Sequence, residues 1–325
     1  MIARTALILG LIAGLTVSPD MARPEDPRDP PPPRCEMGSC YDPLFTVQYP
    51  YTHSIVTSTN VRVRLPARYY DGAAAFIIGY GDIATMESWT AGTGYQPVRT
   101  ESGRGVAALL VLRYFDADLA PYDEAITAFV VNTEDVTIPD TQGAMLTALL
   151  DPENRIWSRG LILSEDLPIV VGREYLFIPK EPDPKIMSID VQRERVSFHF
   201  AEPDGTPIAG GNITLDPGTT AGPAGEAAFQ AGLQRFALDV VGRGVNWRGR
   251  FVFRNIEHPE EVAPLTAVGR FVDPASIFVT GCCSGSSFWF DPETTFGADL
   301  AALQLEPRVI FAVAKGMRFV LDAEL

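Results

Sequence analysis

Short runs of apolar or alternating residues, bounded by Gly, Pro, Asp and Asn, dominate the chain from Tyr41 onward. Such runs are typical of β-strands joined by turns, because strand side chains alternate between two faces and turn residues tolerate the backbone angles that reverse the chain. GVAALLVLRYF (residues 105–115) and AITAFVVN (125–132) predict two buried strands. The dominant secondary structure is therefore expected to be β.

Two further patterns predict hairpins. VSFHFAEPDGTPIAGGNITL (196–215) has its turn at Pro203-Asp204-Gly205, and RFALDVVGRGVNWRGRFVFRNI (235–256) has a similar form. PRVIFAVAKGMRFVL (307–321) predicts one or two closing strands, whereas only 141–157 and the shorter 82–89 have a helical rhythm. We expect a mostly β (α+β) fold, a closed or partly closed antiparallel β-barrel with a few peripheral helices, since closure removes exposed sheet edges.

The N-terminal region lies outside this pattern. Residues 1–22 carry an apolar run from Ala6 to Val17 behind one arginine, which is the outline of a secretory signal. Residues 23–40 are rich in proline and charge, which favours an extended linker. We therefore expect an exported protein, periplasmic or secreted, with a domain at 41–325 that folds without the leader and linker. A retained N-terminal anchor is the alternative.

Composition and motifs exclude several classes of function. A net charge of −15 and a pI near 4.6 disfavour nucleic acid, whose binding needs clustered cations. Cys35 and Cys40 are close enough to pair in an oxidising compartment, but neither they nor Cys282 and Cys283 have zinc-site spacing. GCCSGSSF (281–288) lacks the G-x-S-x-G of a serine hydrolase. No metal or cofactor is expected.

Lysine is rare in this chain. Of 26 basic residues only Lys180, Lys185 and Lys315 are lysines, so chemistry that needs a side-chain amine has three candidates. If REYLFIPKEP (173–182) is extended, its period of two places Lys180 on an aliphatic face, and burial there favours the neutral, nucleophilic amine. The simpler interpretation is that Lys180 lies at a strand end with its charge in water. Lys315 is the other candidate for the reactive amine, and the same simpler interpretation applies to it.

Two motifs resemble those of a known family. ILSEDLPIVVGREYLFIPKEP (162–182) is similar to the acetoacetate decarboxylase family motif, in which an acidic residue, a proline, G-R-E and P-K-K follow in this order. YFDADLAPYDEAITAFVV (114–131) resembles its other signature, and LEPRVIFAVAKGMRFVLDAEL (305–325) its closing strands. Weak similarity extends from about Phe76 to the C terminus.

The resemblance implies a barrel-like fold and a Schiff-base lysine. It places the imine-forming amine on Lys180 and the motif glutamate on Glu124, with a small keto acid or related carbonyl compound as substrate. Three positions depart from the family: Glu181 replaces its second lysine, no arginine lies around 72–74 although Arg68 is nearby, and no carboxylate lies near Leu109.

These departures leave two functions open. The first is a lyase that decarboxylates a β-keto acid, with aldol-type or dehydration chemistry on another carbonyl compound fitting the retained lysine equally well. The second is a non-catalytic exported protein that binds a small apolar or carbonyl ligand in the barrel. The sequence leaves the oligomeric state open, a homo-oligomer included.

Overall fold

The structure, a computed structural model, describes residues 26–151, 153–215, 246–272, 276–281 and 286–323. The predicted leader (1–22), the first part of the second hairpin (235–245) and the cysteines at 282–283 lie outside the described residues. Among the described residues, no helix has both the length and the apolar character needed to cross a membrane.

Strands make up about half of the described chain. They are β1 His53–Val56, β2 Arg62–Leu65, β3 Ala67–Gly81, β4 Gln96–Pro97, β5 Arg99–Thr100, β6 Gly105–Ala117, β7 Tyr122–Asn132, β8 Thr137–Ile138, β9 Arg155–Leu163, β10 Ile186–Val191, β11 Arg195–Ala201, β12 Pro207–Thr214, β13 Asn246–Arg254, β14 Val262–Phe271, β15 Ile277–Gly281, β16 Ser287–Phe290, β17 Glu306–Val313 and β18 Met317–Asp322. The described helices are α1 Ile83–Thr90, α2 Gln142–Leu150, α3 Asp166–Glu174 and α4 Thr295–Leu303, preceded by a 3-10 helix Glu36–Tyr41 and a π-helical turn Leu44–Gln48.

Seven strands close into a barrel, in the order β3-β18-β14-β13-β9-β7-β6 and back to β3. Every neighbouring pair in this ring is antiparallel except β9 and β13, which run parallel. The prediction of a closed, mostly antiparallel barrel with few helices is thus confirmed.

The central strands are apolar on both faces because both faces are covered. On β3, Ala74 and Ile78 belong to the core inside the barrel, whereas Ala75 and Ile77 pack outward against a second core. A four-stranded sheet, β10-β11-β12-β16, and helix α4 supply the other side of that outer core. Runs such as 105–115 are continuous rather than alternating for this reason.

Most of the predicted elements are found. The first hairpin is β11 and β12, with Gly205 at φ 88° in the turn, and the closing segment forms two strands, β17 and β18. Helix α1 begins after Asp82, whose side chain accepts a hydrogen bond from the Thr85 amide. The prediction of one helix over 141–157 is partly wrong. Helix α2 ends at Leu150, because the proline that follows Asp151 disfavours helical backbone angles at Asp151. Strand β9 then begins at Arg155.

The segment before the barrel contacts it directly. The backbone amides of Arg34 and Cys35 each donate to the Asp116 carboxylate at 2.8 Å, and a disulfide joins Cys35 to Cys40. Asp42, fully buried, pairs with Arg318 at 2.8 Å and with Arg270. These contacts hold the segment against β6, β14 and β18, while the domain boundary at Tyr41 stays a prediction.

Candidate active site

A cavity of about 370 Å³ occupies the inside of the barrel. Its walls come from β3, β6, β7, β9, β13, β14, β17 and β18, together with α2 and the segment after α3. Among the described residues that line it, the only polar side chains are those of Tyr114, Tyr122, Glu124 and Lys180. The structure therefore brings both sequence-predicted site residues, Lys180 and Glu124, into one apolar cavity.

Lys180 reaches the cavity from an irregular segment. Helix α3 ends at Glu174, the chain reverses through Phe177 in a left-handed conformation (φ 53°), and Lys180 then makes a single parallel bridge to Leu161 of β9. The prediction of an extended strand over 173–182 is wrong for its first part. Pro168 lies in the first turn of α3, where a proline costs no backbone hydrogen bond, so it does not prevent the helix.

The predicted alternation of burial is nevertheless present. Leu176, Ile178 and Lys180 are buried, whereas Tyr175, Phe177 and the proline before Lys180 are only partly so. The amine of Lys180 donates a hydrogen bond to the Pro168 carbonyl at 3.1 Å. Lys180 is 5 % exposed, so its amine is buried and does not lie in water at a strand end.

Three consecutive residues at the end of α3 hold this segment. Gly172 leaves room for the lysine, because a Cβ there would lie 2.5 Å from Lys180 Cε and 3.0 Å from its Nζ. Arg173 donates to the Lys180 carbonyl at 2.5 Å, and Glu174 accepts a hydrogen bond from the Ser58 amide at 2.9 Å. In the G-R-E motif, the glycine thus leaves space for the Lys180 side chain. The arginine and the glutamate hold the segment in place through hydrogen bonds.

Glu124 lies on β7 facing Lys180. Its Oε1 is 3.8 Å from Lys180 Nζ, and its Oε2 accepts a hydrogen bond from the Tyr114 hydroxyl at 3.0 Å. Tyr114 is a diagonal neighbour on β6, because Leu112 pairs with Glu124 and Tyr114 with Tyr122. The Tyr122 hydroxyl in turn lies 2.9 Å from that of Tyr69. Burial raises the pKa of Tyr114 and Tyr122 well above the usual value, so both stay protonated.

The sequence did not identify Tyr114, Tyr122 or Gly172 as site residues. Tyr114 lies in the first predicted buried strand and Tyr122 just before the second, but only the register between β6 and β7 places their rings, with centroids 4.6 Å apart, beside Glu124. Gly172 belongs to the G-R-E motif, so that motif was the available signal.

The environment of Lys180 favours the neutral amine. Burial lowers the pKa of Lys180 below its ordinary value, and the nearby Glu124 carboxylate opposes this effect without cancelling it. A buried lysine with a lowered pKa has a larger neutral fraction near neutral pH, and the neutral amine is the form that attacks a carbonyl.

The other two lysines have different surroundings. Lys185 forms ion pairs with Glu202 at 2.7 Å and Glu181 at 3.0 Å. Burial alone would lower the pKa of Lys185, but its hydrogen bonds to these two carboxylates outweigh that effect and raise it. Lys315 is exposed in the turn between β17 and β18. Among the three lysines, all of them described, Lys180 alone lines the cavity.

The residues at or near the three departures from the family motif lie outside the cavity lining. Glu181, which takes the place of a second lysine, pairs with Lys185. Arg68 does not line the cavity; its guanidinium lies 3.4 Å from the centre of the Tyr51 ring. Leu109 packs in the outer core, and its neighbour Leu110 faces the cavity.

Among the described residues of this site, metal ligands do not converge. Within the described ranges, no group of three or more His, Cys, Asp or Glu side chains could hold a metal ion. The arrangement offers an amine, a carboxylate and two phenols, which is a set suited to proton transfer and carbonyl chemistry.

Comparisons with known proteins give structural likeness alone. No family model matches the chain, and no curated protein matches it. Similar solved structures include an acetoacetate decarboxylase (12 % identity, 79 % of this chain and 88 % of that one, TM-score 0.45). Another is the acetoacetate decarboxylase of Legionella pneumophila (11 %, 87 % and 92 %, TM-score 0.47). A third is the enduracididine biosynthesis enzyme MppR, complexed with the condensation product of pyruvate and imidazole 4-carboxaldehyde (11 %, 78 % and 86 %, TM-score 0.44).

These structures carry the fold that the sequence resemblance named. With identities of 11–12 % and TM-scores below 0.5, the likeness is confined to the fold.

Proposed function

We propose that the chain is a lyase that uses Lys180 as a Schiff-base amine to decarboxylate a β-keto acid or a closely related carbonyl compound. The observation that supports this most strongly is the position of Lys180, a buried amine with a lowered pKa at the wall of the barrel cavity. Glu124, whose carboxylate lies 3.8 Å from that amine, is the proposed proton carrier.

The reaction would begin with the neutral amine of Lys180 adding to the keto carbon. The resulting carbinolamine loses its oxygen as water, with Glu124 passing the proton, and a protonated imine forms. The bond between the α-carbon and the carboxylate then breaks, carbon dioxide leaves, and the electron pair enters the imine to give an enamine. Protonation of the enamine at carbon and hydrolysis of the new imine release the ketone and restore the amine.

The apolar walls would contribute to the second step. Apart from Lys180 and the two tyrosines, no described lining side chain can donate a hydrogen bond to a carboxylate. A carboxylate held there loses its hydration, and its conversion to neutral carbon dioxide relieves that cost. Among the described lining residues, the cationic imine at Lys180 would be the one positive charge close to it.

A specific observation also favours the second candidate, a binding protein. The lining residues that the structure describes include no arginine to recognise a substrate carboxylate. A neutral carbonyl or apolar ligand would fit the walls without any chemistry at Lys180.

Exchange of the carbonyl oxygen distinguishes the two candidates, because imine formation and hydrolysis replace that oxygen with one from water. With a methyl ketone in ¹⁸O-labelled water, the protein is expected to accelerate incorporation of label. Lys180→Arg should abolish the acceleration, since a guanidinium stays protonated. Release of carbon dioxide from the corresponding β-keto acid is the second readout. Ketone binding without any acceleration of exchange would refute the lyase and favour the binding protein.

A further inference from the structure

The cavity is larger than a small keto acid requires. At about 30 Å³ per non-hydrogen atom, the volume that a water takes in the liquid, 370 Å³ holds roughly a dozen such atoms. A four-carbon keto acid with about seven atoms would fill little more than half of it. An unfilled apolar cavity is costly to the fold, so the space is expected to serve a ligand.

The polar side chains among the described lining residues form one cluster. Glu124 contacts both Lys180 and Tyr114, and the ring of Tyr114 lies against that of Tyr122. The rest of the described wall is apolar and includes Phe76, Phe251, Leu265, Phe311 and Leu321. A ligand that fills this space therefore needs one polar end at Lys180 and an apolar remainder.

Two small residues create the space opposite the polar cluster. Gly249 on β13 and Ala267 on β14 are register partners, and both line the cavity. In the ring of seven strands, β14 lies three strands from β7, which carries Glu124, and so on the far side of the barrel. Larger side chains at these two positions would fill the interior, as side chains do in barrels without a ligand cavity.

We propose that the substrate is a carbonyl compound of roughly eight to ten carbons in all, whose carbonyl lies at Lys180 and whose apolar chain extends toward Gly249 and Ala267. This inference rests on the proposed Schiff-base function for the carbonyl end. The apolar chain is assigned by the shape and lining of the cavity.

A series of straight-chain methyl ketones, from acetone to 2-dodecanone, tests the chain length. The Kd, measured by calorimetry on the full chain, is expected to fall about fourfold per added methylene, the ratio that corresponds to ~0.8 kcal/mol. The fall should end at roughly ten carbons, where the cavity is full. Binding that is flat across the series, or strongest for acetone, would overturn the inference.

Ala267→Leu tests the position of the chain. Leucine adds three carbons to the wall, so the preferred ketone should shorten by about three methylenes. Ala298→Leu makes the same change on the exposed face of α4 and should leave the preference unchanged. Should Ala267→Leu fail to give a cooperative melt, Phe251→Leu, which enlarges the same wall, should lengthen the preferred ketone instead. An unchanged preference in a folded cavity variant would contradict the proposal.

The two proposals fail in different ways. A Kd that falls with the chain length of the ketone, without any acceleration of oxygen exchange, would refute the Schiff-base function and support the apolar-chain site. Oxygen exchange with the same rate and the same half-saturating concentration for acetone and for long ketones would support the Schiff-base function. It would overturn the proposal of an apolar-chain site.

Discussion

Gly172→Ala is the substitution that most sharply perturbs the position of the amine. The new Cβ would lie 2.5 Å from Lys180 Cε and 2.6 Å from its Cδ, whereas ordinary contacts begin at 3.4 Å. The lysine side chain must therefore move by about 0.9 Å, which is comparable to the displacement of about 1 Å that can cost a hundredfold in rate. We expect imine formation with a methyl ketone to slow by roughly two orders of magnitude.

The fold should tolerate this change. The atoms in conflict belong to a side chain, and alanine favours a helix by up to about 1 kcal/mol over glycine. The assay is the rate of borohydride-dependent inactivation in the presence of ketone, together with a thermal melt. A retained melt with slower inactivation would place the effect at the amine and not in the fold.

Gly143→Ala provides the matched control. Gly143 lies in α2, and a Cβ there would meet nothing within 4 Å. This variant should gain up to about 1 kcal/mol of stability and keep the wild-type rate. A folded Gly172→Ala protein that forms the imine as fast as Gly143→Ala would refute the inferred packing of Lys180 on α3.

Two further predictions concern charge. Glu124→Gln should lower turnover by on the order of a hundredfold. The negative charge of Glu124 favours the ammonium form of Lys180, so this substitution should also lower the pKa of Lys180. The midpoint of the pH–inactivation profile should then move to lower pH, and an unchanged midpoint would contradict this. Asp42→Asn should destabilise the fold by about 3 kcal/mol in urea unfolding, since it leaves the partly buried Arg270 and Arg318 without their partner, while ketone binding stays unchanged. A loss below about 1 kcal/mol would mean that the Asp42 cluster does not hold the N-terminal segment on the barrel.

Local patterns in the sequence predicted much of the barrel because they depend on neighbouring residues. The run at 105–115 and the turn at Gly205 both follow from side-chain period and turn chemistry, and both are present. The parallel pairing of β9 with β13 was not predictable in this way, since it joins strands far apart in the chain.

The segment before Lys180 was harder to predict. Its burial has a period of two over 175–180, which favours a strand, yet α3 extends through 173–174 and Phe177 has a left-handed conformation. Gly172, which weakens a helix on propensity alone, is retained there because the lysine side chain packs across it. That reason depends on a tertiary contact.

The candidate site was predicted in part. Lysine scarcity and the motif resemblance identified Lys180 and Glu124, and both line the cavity. Tyr114 was missed because its contact with Glu124 depends on the β6–β7 register, in which it pairs with Tyr122. The roles of Lys180 and Glu124 in a reaction stay predictions.

Borohydride reduction followed by peptide mapping tests the central claim most directly. The full chain is incubated with 2-decanone, reduced, digested and analysed by mass spectrometry. The account predicts a stable alkyl adduct on Lys180, none on Lys185 or Lys315, and none anywhere in Lys180→Arg once that variant is shown to melt cooperatively. An adduct on Lys315 alone, or no adduct on any of the three lysines while the ketone binds, would contradict it.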